Sequence, residues 1–380
     1  MALVFARASM GYQFQSVAAV APFITADLAL DNAQLGWLIG IYLLPGIAIA
    51  IPGGLLGARF GDKRVALIGL GLMAAGGLWL ALAGNFAEAN AARLASGAGA
   101  VIINVLFTKM VADWFEGKDR LLAMSALINA WPIGVALALL AVGPLGEISG
   151  WHWAIASSAV FAACGFAAVL GAYRPPATAA QAAVAGTNLG ILTATEWRLL
   201  LFASLPWLVY NAAYQIMISF LPSFFLENGL SVARSGAMTA LNTVIIIVSV
   251  QAGGAILKRS KRPDFVCHAA IAAWCATVLL LSGGSQPMLW IVLGGLIGGL
   301  PAGAFVSLPT EFLRPESRGV GMGVFYTIYY LGCALLPSAA GLFYDLTGSA
   351  RATLWMVTAL AFACIPTLML FRRAMSHAKR

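Results

Sequence analysis

Two short clusters carry the side chains most able to hold a solute. The first is Tyr12-Gln13-Phe14-Gln15-Ser16, and the second spreads over Tyr210, Asn211, Tyr214 and Gln215. Each joins amides, which both donate and accept hydrogen bonds, to rings that offer flat apolar faces. That chemistry suits a flat, largely uncharged heteroaromatic. Asn104, Asn129, Trp131 and Tyr329 are secondary candidates of the same kind, with Asn242, Thr243, Tyr326 and Tyr330 beside them. An enzyme would need a nucleophile, base or metal constellation, and no HExxH, GxSxG or paired carboxylate motif is present. No cofactor and no metal site is expected.

The surroundings decide what these residues mean. Of 380 residues, 61% are hydrophobic and only 9% charged, with a mean hydropathy of +0.90. Soluble domains carry roughly 25% charged residues, so cytosolic, secreted disulfide-rich and disordered classes are excluded. The five cysteines sit in or beside apolar stretches without CxxC spacing and read as small buried hydrophobes. A helix needs about 20 apolar residues to span a bilayer. Charges, prolines and glycine-rich turns divide the chain into twelve such spans. They are expected near 4–26, 34–57, 65–84, 89–111, 120–143, 152–173, 198–225, 234–257, 265–283, 288–311, 319–343 and 351–371. The first apolar stretch lacks a basic n-region and reads as a span, not as a signal peptide.

The basic residues set an orientation. Of 22 Lys and Arg, eighteen fall on the turns and tails that share one side with both termini. Only Arg234 and Arg351 fall on the other. The positive-inside rule then places both termini in the cytoplasm of an inner-membrane protein. The net charge of +8 is therefore a topology signature and not a nucleic-acid footprint; the expected partners are the bilayer and a small-molecule substrate, and the chain is expected to act as a monomer.

The chain also repeats. A shift of 200 residues matches Gln15 with Gln215, Pro22 with Pro222, Gly36 with Gly236 and Arg59 with Arg259. A shift of 198 matches Gly134 with Gly332, Gly143 with Gly341 and Gly150 with Gly348. Between the halves, Arg174-Pro175-Pro176 opens a stretch with little amphipathicity that reads as a linker. The expected organisation is a six-helix bundle over 1–173, a cytoplasmic linker over 174–197 and a second six-helix bundle over 198–380. Parallel repeats of this kind hold substrate between the halves near the bilayer midplane.

The turn after the second span, Gly54-Leu55-Leu56-Gly57-Ala58-Arg59-Phe60-Gly61-Asp62-Lys63-Arg64, resembles the cytoplasmic loop motif of the major facilitator superfamily, G-x-L-a-D-r-x-G-r-k. Ala58 stands where the pattern has Asp, and Asp62 where a basic residue is common. In the fourth span, Arg93-Leu94-Ala95-Ser96-Gly97-Ala98-Gly99 resembles the family's R-x-x-x-G-x-G. The resemblance implies an all-α fold of twelve transmembrane helices in two pseudo-symmetric bundles, working by alternating access. It also implies that spans one and seven line a central cavity, with Gln15 and Gln215 facing each other across it. Arg59, Lys63 and Arg64 would serve the cytoplasmic gate, and Arg93 would be a cavity cation or a packing residue. Arg7, nearer the cytoplasmic edge, reads as a snorkelling residue.

No Asp or Glu falls near the middle of a span. A raised-pKa carboxylate that could carry a proton is therefore not expected in the cavity. Facilitated diffusion, or coupling through an end-of-helix carboxylate such as Glu311 or Asp113, remains. The region Tyr210–Tyr214 and the chain length resemble the bacterial branch of copper importers and riboflavin transporters. Thr108–Phe115 resembles cyanate and nitrate permeases. Copper(I) would want Met or His in helical register, and Met217 stands alone. A small inorganic anion would want mid-cavity arginines. Uptake of an aromatic nutrient such as riboflavin is the leading expectation, with copper import, anion uptake and a transporter-like receptor as alternatives.

Overall fold

The computed structural model describes residues 1–115, 117–176 and 191–378. Most of the expected linker, residues 177–190, therefore lies outside the described residues, as do Glu116 and the last two positions. Among the described residues, ten helices are long and apolar enough to cross a membrane. Two further spans are interrupted. The first runs as α1 (Ala2–Ala19) and α2 (Ala21–Asp27), broken at Val20 because Pro22, in the first turn of α2, has no N–H to continue the ladder. The second runs as α3 (Asn32–Gly40) and α4 (Gly46–Phe60), parted by a turn that ends on Pro45. Then follow α5 (Asp62–Ala81), α6 (Phe86–Trp114), α7 (Gly117–Ser149) and α8 (Trp151–Ala172).

After the linker come α9 (Ala194–Glu227), α10 (Val232–Arg259) and α11 (Pro263–Ser282), then α12 (Pro287–Gly298) and α13 (Ala302–Ser307). The last two are α14 (Arg318–Thr347) and α15 (Arg351–Ala378). α9 starts with a capping box in which Thr193 and Glu196 satisfy each other's backbone N–H groups. Residues 194–197, expected in the linker, are thus the first turn of a helix. The tenth span breaks between α12 and α13 at Gly299-Leu300-Pro301, inside its glycine-rich run.

α1 and α9 are enclosed. Every residue from Ala8 to Ala19 is buried, as is every residue from Gln215 to Pro222. Outward-facing Leu82, Ile148, Trp153, Phe265 and Leu346 are widely exposed. In water such a belt would be costly, and in a bilayer it faces lipid. α1 packs on α7 and α8, and α5 on α6 and α8. In the second repeat α9 packs on α14 and α15, α11 on α12 and α15, and α10 on α12.

The two groups of helices meet along two seams, α3 against α14 and α10 against α7. Two of the glycine pairs that match in the repeat, Gly36/Gly236 and Gly143/Gly341, lie in these seams. A Cβ on Gly36 would overlap the carbonyl oxygen of Pro337, and one on Gly236 that of Leu139. A Cβ on Gly341 would overlap the carbonyl oxygen of Asn32, while its repeat mate Gly143 lies against Val232. Only the missing side chains let these backbones touch. Both seams lie toward the end of the bundle away from the termini, since α3 and α10 begin there and α7 and α14 end there.

Candidate functional site

The interior amides fall into different settings. Gln15 donates from Nε2 to the carbonyl of Ile218 at 2.9 Å, joining α1 to α9 across the two halves. Its Oε1 is buried without a hydrogen-bond partner. Gln215 donates to the carbonyl of Cys333 at 3.1 Å, within the second half. Gln15 and Gln215 thus each reach backbone and not one another. Gln13 donates to Met73 O at 2.8 Å and accepts from the Tyr42 hydroxyl at 3.2 Å, tying α1 to the second and third spans. Asn242 donates to Ile291 O at 3.0 Å inside the second half.

Arg93 is fully buried and completely employed. Its Nε donates to Leu38 O at 2.9 Å, Nη1 to Gln13 O at 3.0 Å, and Nη2 to Phe14 O and Ile39 O at 3.3 and 3.2 Å. The guanidinium lies over the Tyr42 ring at 4.4 Å. Each acceptor is a main-chain carbonyl of α1 or α3. The start of the R-x-x-x-G-x-G pattern therefore acts as a clasp between α1, α3 and α6, and Gly97 lets α6 approach the Tyr42 carbonyl.

The aromatic residues divide in the same way. Tyr210 is buried in the second half: it donates to Gly298 O at 2.9 Å and packs on Trp274 and Phe305. One turn to either side, Trp207, Asn211 and Tyr214 are half-buried at helical spacing i, i+4, i+7 and form one stripe on α9. On α14 the stripe Met322, Tyr326, Tyr329 repeats that spacing. The stripes meet where Trp207 and Tyr329 lie 6.0 Å apart, with Tyr326 edge-on to Tyr329 at 6.1 Å. Asn211 donates to its own helix at Trp207 O, 2.8 Å, and Trp207 Nε1 is buried without a partner.

The first half supplies the facing side. Asn104 of α6 donates to the Tyr330 hydroxyl at 3.1 Å, crossing between the halves. Trp131 packs on Phe14 at 5.1 Å, and Asn129 is half-buried two residues before it. Arg7 of α1 lies within electrostatic reach of Tyr326, Tyr329 and Tyr330. The hydrogen bonds that cross the halves run from Asn104–Tyr330 outward to Asn32–Asp345 at the far end. Tyr326, Tyr329, Trp207, Asn104 and Arg7, each half-buried, thus gather between the two repeats, on the termini side of the seams. Sequence reasoning missed Trp207 and set Arg7 aside; the i, i+4, i+7 stripe with Asn211 and Tyr214 was the signal for the first.

The loop residues lie elsewhere. Lys63 donates to the carbonyls of Leu170 and Tyr173 at 2.8 and 2.6 Å, capping the end of α8 within its own half. Arg59 is exposed with its guanidinium 5.3 Å from the Phe60 ring, and Arg64 is exposed. Asp62 pairs with Lys109, which lies 3.7 Å from Asp113. Among the described residues no group of three or more His, Cys, Asp or Glu could hold a metal ion, and Met217 is a buried core residue.

The Major Facilitator Superfamily profile matches residues 2–337. The chain belongs to the Major Facilitator Superfamily. Within it, the chain is 26% identical to the 3-(3-hydroxy-phenyl)propionate transporter of Escherichia coli (strain K12) over 356 residues, 87% of this chain and 83% of the relative. It is 23% identical to the lysosomal dipeptide transporter MFSD1 of Danio rerio over 94% of this chain and 82% of that one. The uncharacterized MFS-type transporter EfpA of Mycobacterium tuberculosis matches at 33% over 37% of this chain. The chain spans only about a quarter of the length of EfpA and of its mycobacterial relative Rv1250. Among solved structures, a mutant of the nucleoside transporter NupG superposes with a TM-score of 0.77 at 14% identity, covering 98% of both chains. The D-xylose-proton symporter gives 0.76 at 14%, covering 97% and 95%. The solved neighbours share the superfamily fold with this chain.

Proposed function

We propose that this superfamily member carries a small, flat aromatic solute by alternating access, as a monomer in the inner membrane, with both termini in the cytoplasm. The observation that carries the reading is the pair of half-buried stripes, Trp207-Asn211-Tyr214 and Tyr326-Tyr329, facing Asn104 between the repeats. Rings there can sandwich a planar solute while the amides fix its edge. With the seams closed at the end away from the termini, the conformation is the one that opens this group to the cytoplasm. Gln15 acts at the crossing between α1 and α9, and Gln13, Tyr210, Gln215 and Arg93 act by holding helices. Asn129, Trp131 and Tyr329 complete the solute wall. Lys63 holds the end of α8, leaving Arg59 and Arg64 as the free basic groups for a cytoplasmic gate.

The Escherichia coli relative named for a hydroxyphenyl compound supports the aromatic class. Riboflavin is one member of that class. Copper import lacks ligands in register, and cyanate or nitrate gains nothing from rings.

The test is counterflow in liposomes holding the purified chain. Labelled 3-phenylpropionate and labelled riboflavin are each presented against unlabelled xylose, uridine, benzoate and lumichrome. Exchange blocked by the flat aromatics, and lost in a Trp207→Ala/Tyr329→Ala variant that still folds, is the expected result. Exchange blocked by xylose or uridine alone, or copper accumulation in its place, overturns the reading.

A further inference from the structure

Two arginines lie inside the first repeat, and they are opposites. Arg93 places its three guanidinium nitrogens on four main-chain carbonyls and its plane on Tyr42. Arg7 has Nε and Nη1 buried from solvent with no hydrogen-bond partner at all. Arg7 is half-buried, yet these two of its three guanidinium nitrogens are cut off from the water or headgroups that snorkelling would give them. Among the described residues no acid forms an ion pair with Arg7. Five carboxylates near the termini-side ends are committed to other cations: Asp62 and Asp113 to Lys109, Glu196 to Arg314, Asp264 and Glu311 to Arg372. The groups within electrostatic reach of Arg7 are Tyr326, Tyr329 and Tyr330 of the second repeat.

Guanidinium nitrogens buried without a partner are costly, and an arriving anion removes that cost. We infer that Arg7 is an anion-recognition site between the repeats and that the solute carries one carboxylate, held by Arg7 beside the hydroxyls of Tyr326 and Tyr329. The inference rests on these rings lining the solute site, and it adds the charge that the rings alone do not specify. The planar fork of Arg fits a carboxylate through two parallel hydrogen bonds. A single negative charge balances it. A dianion would leave an unmatched charge, because Arg93 is saturated by backbone. The tyrosine hydroxyls can donate to the remaining lone pairs, while Tyr330 already accepts from Asn104.

The test pairs two probes of equal shape, 3-phenylpropionate and the neutral 3-phenylpropanamide, titrated against the full chain in detergent by tryptophan fluorescence and melting temperature. The acid is expected to bind at least tenfold more tightly than the amide. Arg7→Gln should bind both alike, and Arg7→Lys should keep part of the preference. Equal binding of acid and amide to the unaltered chain leaves the aromatic reading standing and overturns the Arg7 site, even where Arg7→Gln fails to fold. A preference that survives in Arg7→Gln also overturns it. If neither aromatic probe binds but acetate raises the melting temperature only when Arg7 is present, the Arg7 site stands and the aromatic reading falls. If none of the three binds, both fall.

Discussion

Asp345, in the last turn of α14, caps a helix that belongs to the opposite half of the protein. Its carboxylate accepts from the backbone N–H and the side-chain amide of Asn32, at 3.1 and 2.7 Å, and from the N–H of Ala33 at 2.9 Å. The first N–H groups of α3 have no intrahelical partner, and a carboxylate there is also favoured by the helix dipole. Ser338, two turns earlier on α14, donates to Ala33 O at 3.0 Å. An alternating-access cycle must break this cap and remake it.

Removing the cap should therefore favour the opposite conformation. Asp345→Ala is expected to cost the closed seam about 1 kcal/mol, the scale of a lost helix cap. With the five native cysteines replaced by alanine and Ser338→Cys added, labelling by a membrane-impermeant maleimide from the far side should speed up severalfold. Unchanged labelling would mean that the glycine contacts alone hold the seam.

The seam glycines are expected to be intolerant in a directional way. Gly36→Val and Gly236→Val each place atoms into a backbone carbonyl of the facing helix. Both should abolish counterflow while leaving each bundle folded, with the seam cysteine now permanently reactive. Full transport by either variant would show that the helices can part without loss of function.

Arg93 should behave as a structural residue. Arg93→Ala removes four hydrogen bonds between buried helices, and a loss of about 3–5 kcal/mol is expected. Arg93→Lys restores charge without the planar fork and should rescue little. The readout is melting temperature in detergent, which should fall sharply before any change in solute affinity can be measured. A stable Arg93→Ala chain with selectively lost binding would return Arg93 to the solute site.

The two glutamines of α1 should separate. Gln15→Ala removes the link to Ile218 of the second half and is expected to cut transport severely with little loss of melting temperature. Gln13→Ala removes bonds inside the first half and should lower the melting temperature first. Identical behaviour of the two would argue against the distinction between a seam bond and a packing bond.

The sequence carried the spans, the repeat and the basic asymmetry, because a bilayer punishes any departure from long apolar helices with satisfied backbones. It also carried the seam glycines, as coincident matches between the halves. It did not reveal what each polar side chain touches. Gln13 and Gln15 differ by two residues and thus by about 200° around α1, so one turns into its own bundle and the other toward α9. Arg93 matched a family pattern and drew attention as a possible cavity charge, whereas its donors end on backbone. Arg7 matched no pattern and lay near a span end, where depth cannot be read from position alone. Tertiary partners decided both cases.

The middle of every span lacks Asp and Glu, and this has an electrical consequence. A carrier that holds a monoanion on Arg7 and moves no proton with it would pass net charge at each turnover. Each elementary charge is worth about 2.3 kcal/mol per 100 mV of membrane potential, a bias of roughly fiftyfold. With the interior negative, that voltage drives the anion outward and opposes its entry. Transport by this protein would then be a current, and the cell's own potential would favour export.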